Sequence, residues 1–172
     1  MAKRRAAAFD GEGARRYGGR WNRVGVPAVY TAAHLSLAVL EILVHVPAEE
    51  DLPTDLVAIS ADVPDDLEIE RIRIKELPRD WRRTPAPPVL ADRGSAWLTA
   101  ARTAVLAVPS AVIPAESNYI LNPAHPDFRR IAIHRPERLD LDPRLARTGA
   151  VSPVDLSARR VGSPRRRRSR RG

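Results

Sequence analysis

Leu35-Ser36-Leu37-Ala38-Val39-Leu40-Glu41-Ile42-Leu43-Val44-His45-Val46 is one of the most apolar stretches of this chain, and it carries a single acid, Glu41. Leaving a carboxylate buried without a partner costs on the order of several kcal/mol. The stretch therefore predicts two things: a central, buried helix over about 33–46, and a group elsewhere that answers Glu41. Thr31 can cap that helix and Pro47 ends it. Upstream, Gly18-Gly19-Arg20-Trp21-Asn22 is a glycine-hinged turn offering a guanidinium, an indole and an amide, and Arg20 is the candidate partner. Tyr30 closes the short apolar run 26–30, which reads as a buried strand, and stands between the two.

Working outward, the chain of 172 residues suits one domain with a core of its own. The absence of cysteine excludes disulfides, thiol catalysis and Cys-based metal sites. No apolar run reaches the length of a membrane span, and the first nine residues are too short and too weakly apolar for a signal peptide, so a soluble, cytoplasmic protein is expected. The net charge of +8 has a local origin, because residues 159–171 hold eight arginines and no acid. Without them 21 basic residues face 21 acidic ones, so the body is neutral and the charge excess gives no reason to expect direct nucleic-acid binding by the domain. We divide the chain into a domain over 1–145 and an Arg-rich tail over 146–172, expected to be disordered and only weakly attracted to polyanions.

Along the domain, residues 10–25 hold five of the nine glycines and read as a loop. Residues 56–63 read as one strand and 67–74, alternating with period two, as another. The stretch 78–88 is proline-rich connection containing Trp81, and a short helix is expected to begin near Gly94. Strands are expected over 103–109, 111–114 and 131–134, with turn chemistry over 118–126. The whole reads as an α+β domain of small mixed sheets.

Five blocks in order carry a resemblance: Gly-Glu-Gly-Ala-Arg-Arg-Tyr-Gly-Gly-Arg-Trp-Asn at 11–22, Val-Tyr-Thr at 29–31, Leu-Ala-Val-Leu-Glu-Ile-Leu-Val-His at 37–45, Pro-Ser-Ala-Val-Ile-Pro at 109–114 and Asn-Tyr-Ile-Leu-Asn-Pro-Ala-His-Pro-Asp-Phe at 118–128. Together they resemble the RES domain, the toxin half of Xre–RES toxin–antitoxin pairs, from about Phe9 to Leu145. The resemblance implies an ADP-ribosyltransferase-like fold, NAD⁺ as the substrate with no added cofactor, and an Xre-type helix-turn-helix antitoxin as partner. It implies toxicity through loss of NAD⁺, by a glycohydrolase or phosphorylase, with ADP-ribosylation of a protein as the alternative. Family members usually open with a further strand where only eight residues precede Phe9, and the Arg-rich tail also lies outside the pattern.

On this resemblance the family's arginine, tyrosine, glutamate and serine fall on Arg20, Tyr30, Glu41 and Ser110, the expected catalytic set. Trp21, Asn22 and Asn118 join them as residues expected to bind the dinucleotide. Positively charged nicotinamide is already a good leaving group, so a carboxylate beside the ribose need only stabilise an oxocarbenium-like centre. Arg20 suits a grip on the diphosphate. Tyr30 offers a face for stacking the nicotinamide, while Ser110 and Asn118 offer neutral hydrogen bonds to ribose or carboxamide.

Plainer readings stand beside these. Glu41 could be a buried structural partner of Arg20 or Arg16, Trp21 a core aromatic, Ser110 a strand-end hydrogen bond, and the domain an inactive module that only binds a partner. His34, His45, His125 and His134 show no metal-ligand spacing, and no metal is expected. The glycines at 11–19 lack the strand, spacing and helix of a dinucleotide fingerprint.

Overall fold

A computed structural model of the chain describes residues 9–45 and 55–146, so the Arg-rich tail from residue 147 onward, the eight residues before Phe9, Val46 and Pro47 lie outside the described residues. Its centre is a four-stranded sheet in the order β1 (Val29–Ala32), β6 (Ser117–Leu121), β5 (Val105–Pro109), β4 (Ile69–Arg71). β6 runs antiparallel to both neighbours and β4 parallel to β5. Two short antiparallel ribbons flank it: β2 (Val57–Ala58) with β8 (Glu137–Arg138), and β3 (Ala61–Asp62) with β7 (Ala132–Ile133). Three α-helices, α1 (Glu12–Tyr17), α2 (Leu35–Leu43) and α3 (Pro88–Ala100), and short 3-10 turns at Ile74–Glu76, Pro126–Arg130 and Pro143–Ala146 complete the described fold.

β5 is buried along its whole length, as expected of an unbroken apolar run covered on both faces. Leu106 and Val108 face one core cluster, which gathers all three tryptophans, Trp21, Trp81 and Trp97, with Leu90, Leu98 and Ile120. Val105 faces a second, with Phe9, Val29, Leu67, Leu121 and Ile131. The alternation of strand side chains thus sorts the core into two layers, one on each side of the sheet.

Several elements differ from the sequence reading. The helix carrying Glu41 is shorter than expected and is not centrally buried: Leu37, Val39 and Leu43 are buried, whereas Leu35 and Val44 are 53% and 56% exposed. Its buried side chains do not fall in one stripe, since Leu37 projects about 200° away from Val39 around the helix axis, and the apolar Leu35 and Leu40 remain exposed. Its N-cap is His34, and the Thr31 hydroxyl instead donates to the Tyr119 carbonyl. Residues 56–63 form two strands, β2 and β3, each paired to a different partner across the break at Ile59-Ser60. Residues 111–114 form a turn closed by the Ser110 amide on the Glu116 carbonyl, and the strand lies later, in β6. α3 begins at Pro88, in the first turn where a missing N–H costs nothing, and Gly94 lies in its interior.

Gly94 has a packing reason to be there. A Cβ at this position would meet the Trp21 carbonyl oxygen at 1.9 Å and its carbon at 2.7 Å. α3 therefore rests backbone to backbone on the turn that carries Arg20.

Candidate functional site

A cleft of about 840 Å³ opens between that turn, α2, the 109–112 loop and the 82–86 segment, within the usual size of a small-ligand site. Arg20, Tyr30, Glu41, His45, Arg82 and Asn118 contribute to its walls.

Glu41 is held from the β5–β6 hairpin. Its Oε1 accepts from Ser110 Oγ at 2.7 Å and from Asn118 Nδ2 at 2.7 Å. Ser110 directly follows β5, while Asn118 lies on β6 opposite Val108 and Ala32, so both donors are fixed by the sheet register. The Ser110 hydroxyl is fully buried and accepts from the amides of Val112 at 3.1 Å and Ile113 at 3.0 Å. With its acceptor side occupied, its one proton points to Glu41. Among the described residues no donor reaches Glu41 Oε2, and no donor reaches the buried Oδ1 of Asn118.

The turn at 18–22 is assembled around the Tyr30 hydroxyl. That hydroxyl donates to Asn22 Oδ1 at 2.7 Å and accepts from the Trp21 amide at 2.9 Å. Asn22 is itself buried, its side-chain amide donating to the carbonyls of Ala14 at 2.8 Å and Val26 at 2.9 Å. Gly19 completes the enclosure, since a Cβ there would come within 2.6 Å of the Tyr30 oxygen. Tyr30 as a whole is 41% exposed and lines the cleft. Burial is the main cause that pushes the phenol from 10.0 up to about 12, against the opposing pull of the Trp21 amide and the Arg20 cation.

A measurable consequence follows. Folding favours the neutral phenol, so its stabilisation is complete below pH 10 and is lost as pH climbs through about 12. An ultraviolet titration of the folded protein should contain a tyrosinate component near pH 12 that vanishes in Tyr30→Phe. That variant should also unfold more easily, by about 1–3 kcal/mol, because Asn22 Oδ1 and the Trp21 amide lose their partner. An unaltered titration curve would contradict the enclosure.

Arg20 does not pair directly with Glu41, contrary to the sequence expectation. Its Nη1 donates to the Trp81 carbonyl at 2.6 Å, and both Nη atoms reach the Arg83 carbonyl at 3.4 Å. Burial lowers its pKa, while the charge of Glu41 and the Tyr30 phenol act in the opposite direction. The two side chains thus share the cleft and sense each other's charge, but the hydrogen-bond partners of Glu41 are neutral.

Of the residues singled out from sequence, Arg20, Trp21, Tyr30, Glu41 and Asn118 come together on the cleft wall. Ser110 reaches it only through Glu41, and its hydroxyl is not available to a ligand as expected. Asn22 likewise spends its hydrogen bonds on the protein, and the Trp21 indole is packed in the core cluster. His45 borders the cleft, one turn beyond Glu41. Arg82 was not among the expected site residues: it lies in the proline-rich stretch, where no periodicity marks the position that faces the cleft. No group of His, Asp and Glu among the described residues is arranged to hold a metal ion, and no helix there is long and apolar enough to cross a membrane.

The "Toxin Res" of Photorhabdus laumondii subsp. laumondii is 43% identical over 143 residues, covering 82% of this chain and 90% of that protein. The "Prs ADP-ribosylating toxin" of Sphingobium sp. is 40% identical, over 81% of this chain and 87% of its own length. In the crystal structure of the M. tuberculosis MbcT–MbcA toxin–antitoxin complex, one chain superposes with a TM-score of 0.63 at 23% identity, covering 81% of this chain and 80% of that one. That likeness bears out the small mixed-sheet architecture. The profile of the RES domain matches residues 1–142. With most of its length matched by that profile and by curated toxins, the chain belongs to the RES domain family.

Proposed function

We infer that this chain is the toxin of a toxin–antitoxin pair and that it destroys NAD⁺ by breaking the nicotinamide–ribose bond. The observation that carries this reading is the Glu41 carboxylate, fixed by Ser110 and Asn118 in a cleft that also holds Arg20 and the Tyr30 ring. The cleft volume of about 840 Å³ suits a dinucleotide. Nicotinamide stacks on Tyr30, placing the ribose beside Glu41. As the bond from C1′ to the ring nitrogen breaks, its electron pair neutralises the ring, and positive charge grows on the ribose. The fixed carboxylate stabilises that charge without reorganising. C1′ then bonds to an acceptor oxygen, and the acceptor's proton passes to solvent.

Water or phosphate as acceptor gives free ADP-ribose or its phosphate. The second reading, transfer to a protein, is supported by the name of the Sphingobium relative, an ADP-ribosylating toxin. Incubating the purified chain with NAD⁺ labelled in its adenylate half separates them. We expect free nicotinamide and a soluble ADP-ribosyl product in equal amounts. Label retained on a protein band instead would favour the transferase, and intact NAD⁺ would refute both. The antitoxin is, on the same reading, an Xre-type helix-turn-helix protein acting with this toxin in the cytoplasm.

Ser110 is a positioning residue in this scheme. Ser110→Ala frees Glu41 from one of its donors, so kcat for NAD⁺ loss should fall about ten- to a hundredfold while KM changes little. A change confined to KM would mean that the hydroxyl binds substrate after all.

A further inference from the structure

Arg20 was expected to grip the diphosphate, yet its Nη1 is committed to the Trp81 carbonyl at 2.6 Å. A diphosphate presents two phosphate groups, and a second guanidinium on the same wall would help to hold them. The same segment provides one. Trp81 anchors residues 81–84 in the core, Arg20 holds the carbonyls of Trp81 and Arg83, and Arg82 between them reaches across to the 110–113 turn. Arg82 Nε donates to the Ala111 carbonyl at 2.9 Å and Nη2 lies 3.5 Å from the Val112 carbonyl, while Nη1 has no acceptor among the described residues.

That arrangement fixes a guanidinium on the cleft wall with its far edge unspent. The carbonyls it holds belong to the turn whose amides orient Ser110. The other charged side chains on the wall are Arg20 and Glu41, with His45 at one side. Two cations against one acid leave the cleft wall net positive, which favours an anionic group such as a diphosphate.

We propose that Arg82 is the residue that binds the diphosphate of the dinucleotide, with Arg20 bracing the wall beside it. This deepens the functional reading above and rests on it. Charge-assisted, forked donation from a guanidinium is the chemistry that recognises phosphate oxygens.

The test compares the full chain with Arg82→Gln, whose amide can still donate to the Ala111 carbonyl, and with Arg82→Lys. Circular dichroism confirms that each variant is folded. ADP, which has no nicotinamide bond to cleave, is titrated by calorimetry, and NAD⁺ and nicotinamide riboside are compared as substrates. We expect Arg82→Gln to weaken ADP binding and raise KM for NAD⁺ by about ten- to a hundredfold, with kcat almost unchanged. Cleavage of the riboside, which has no phosphate, should be unaffected, and Arg82→Lys should fall between wild type and Gln. Equal ADP affinity in wild type and Arg82→Gln, or no ADP binding by the wild type, overturns the proposal. Failure of the wild type to consume NAD⁺ removes the functional reading instead, and the ADP titration still decides the role of Arg82.

Discussion

Glu41→Gln should consume NAD⁺ about 10²- to 10³-fold more slowly than the wild type, through kcat, while remaining folded. The substitution isolates charge from shape. A glutamine carbonyl can still accept from Ser110 Oγ and Asn118 Nδ2, both 2.7 Å from the present carboxylate, so the hairpin–helix contact survives. What disappears is the negative charge facing the ribose at the moment positive charge develops there. Because the donors are neutral, their hydrogen bonds do not cancel that charge in the way a paired arginine would. Initial rates of nicotinamide release, with thermal unfolding as a control, give the answer. A folded variant with wild-type turnover would remove Glu41 from the chemistry.

The second large effect is on stability. Alanine ordinarily strengthens a helix interior by about 1 kcal/mol relative to glycine. Gly94→Ala should do the reverse, destabilising the protein by more than about 3 kcal/mol, because the added carbon would lie 1.9 Å from the Trp21 carbonyl oxygen. Neither side can give way easily: Trp21 is 2% exposed, and its amide also binds Tyr30. Gly13 in α1 is the control, since a Cβ there meets nothing within 4 Å. Gly13→Ala should be neutral or stabilising by a few tenths of a kcal/mol to about 1 kcal/mol. Urea unfolding should therefore shift to lower denaturant for Gly94→Ala and stay level or rise for Gly13→Ala. Matching shifts would show that helix propensity, rather than the contact with Trp21, governs residue 94.

These two residues also mark what could and could not be read from sequence. Glu41 was legible because an acid inside an apolar run demands explanation, and the ordered blocks at 11–22, 29–31, 37–45, 109–114 and 118–128 supplied the family. Its partners were not legible from spacing. Ser110 and Asn118 meet it over separations of 69 and 77 residues, and the neutral donors look no different from ordinary turn residues. β6 was hidden for the same reason. Its polar start, Ser117-Asn118-Tyr119, followed by Asn122-Pro123, has the composition of a turn, whereas pairing on both edges makes it an inner strand. A helix beginning near Gly94 was expected, whereas the glycine is interior, where the approach of the Trp21 carbonyl explains it. Apolar residues on every side of α2 suggested full burial, but Leu35 and Val44 remain exposed, a fact that periodicity does not report.

The strap at 81–84 is fastened at both sides by arginine side chains seizing main-chain oxygens: those of Trp81 and Arg83 on one side, Ala111 and Val112 on the other. Every residue type presents that same oxygen. Positions 83, 111 and 112 can therefore drift in identity without loosening the fastening, while a change at either guanidinium undoes it. Selection on this wall should register as two constant letters facing a set of interchangeable ones.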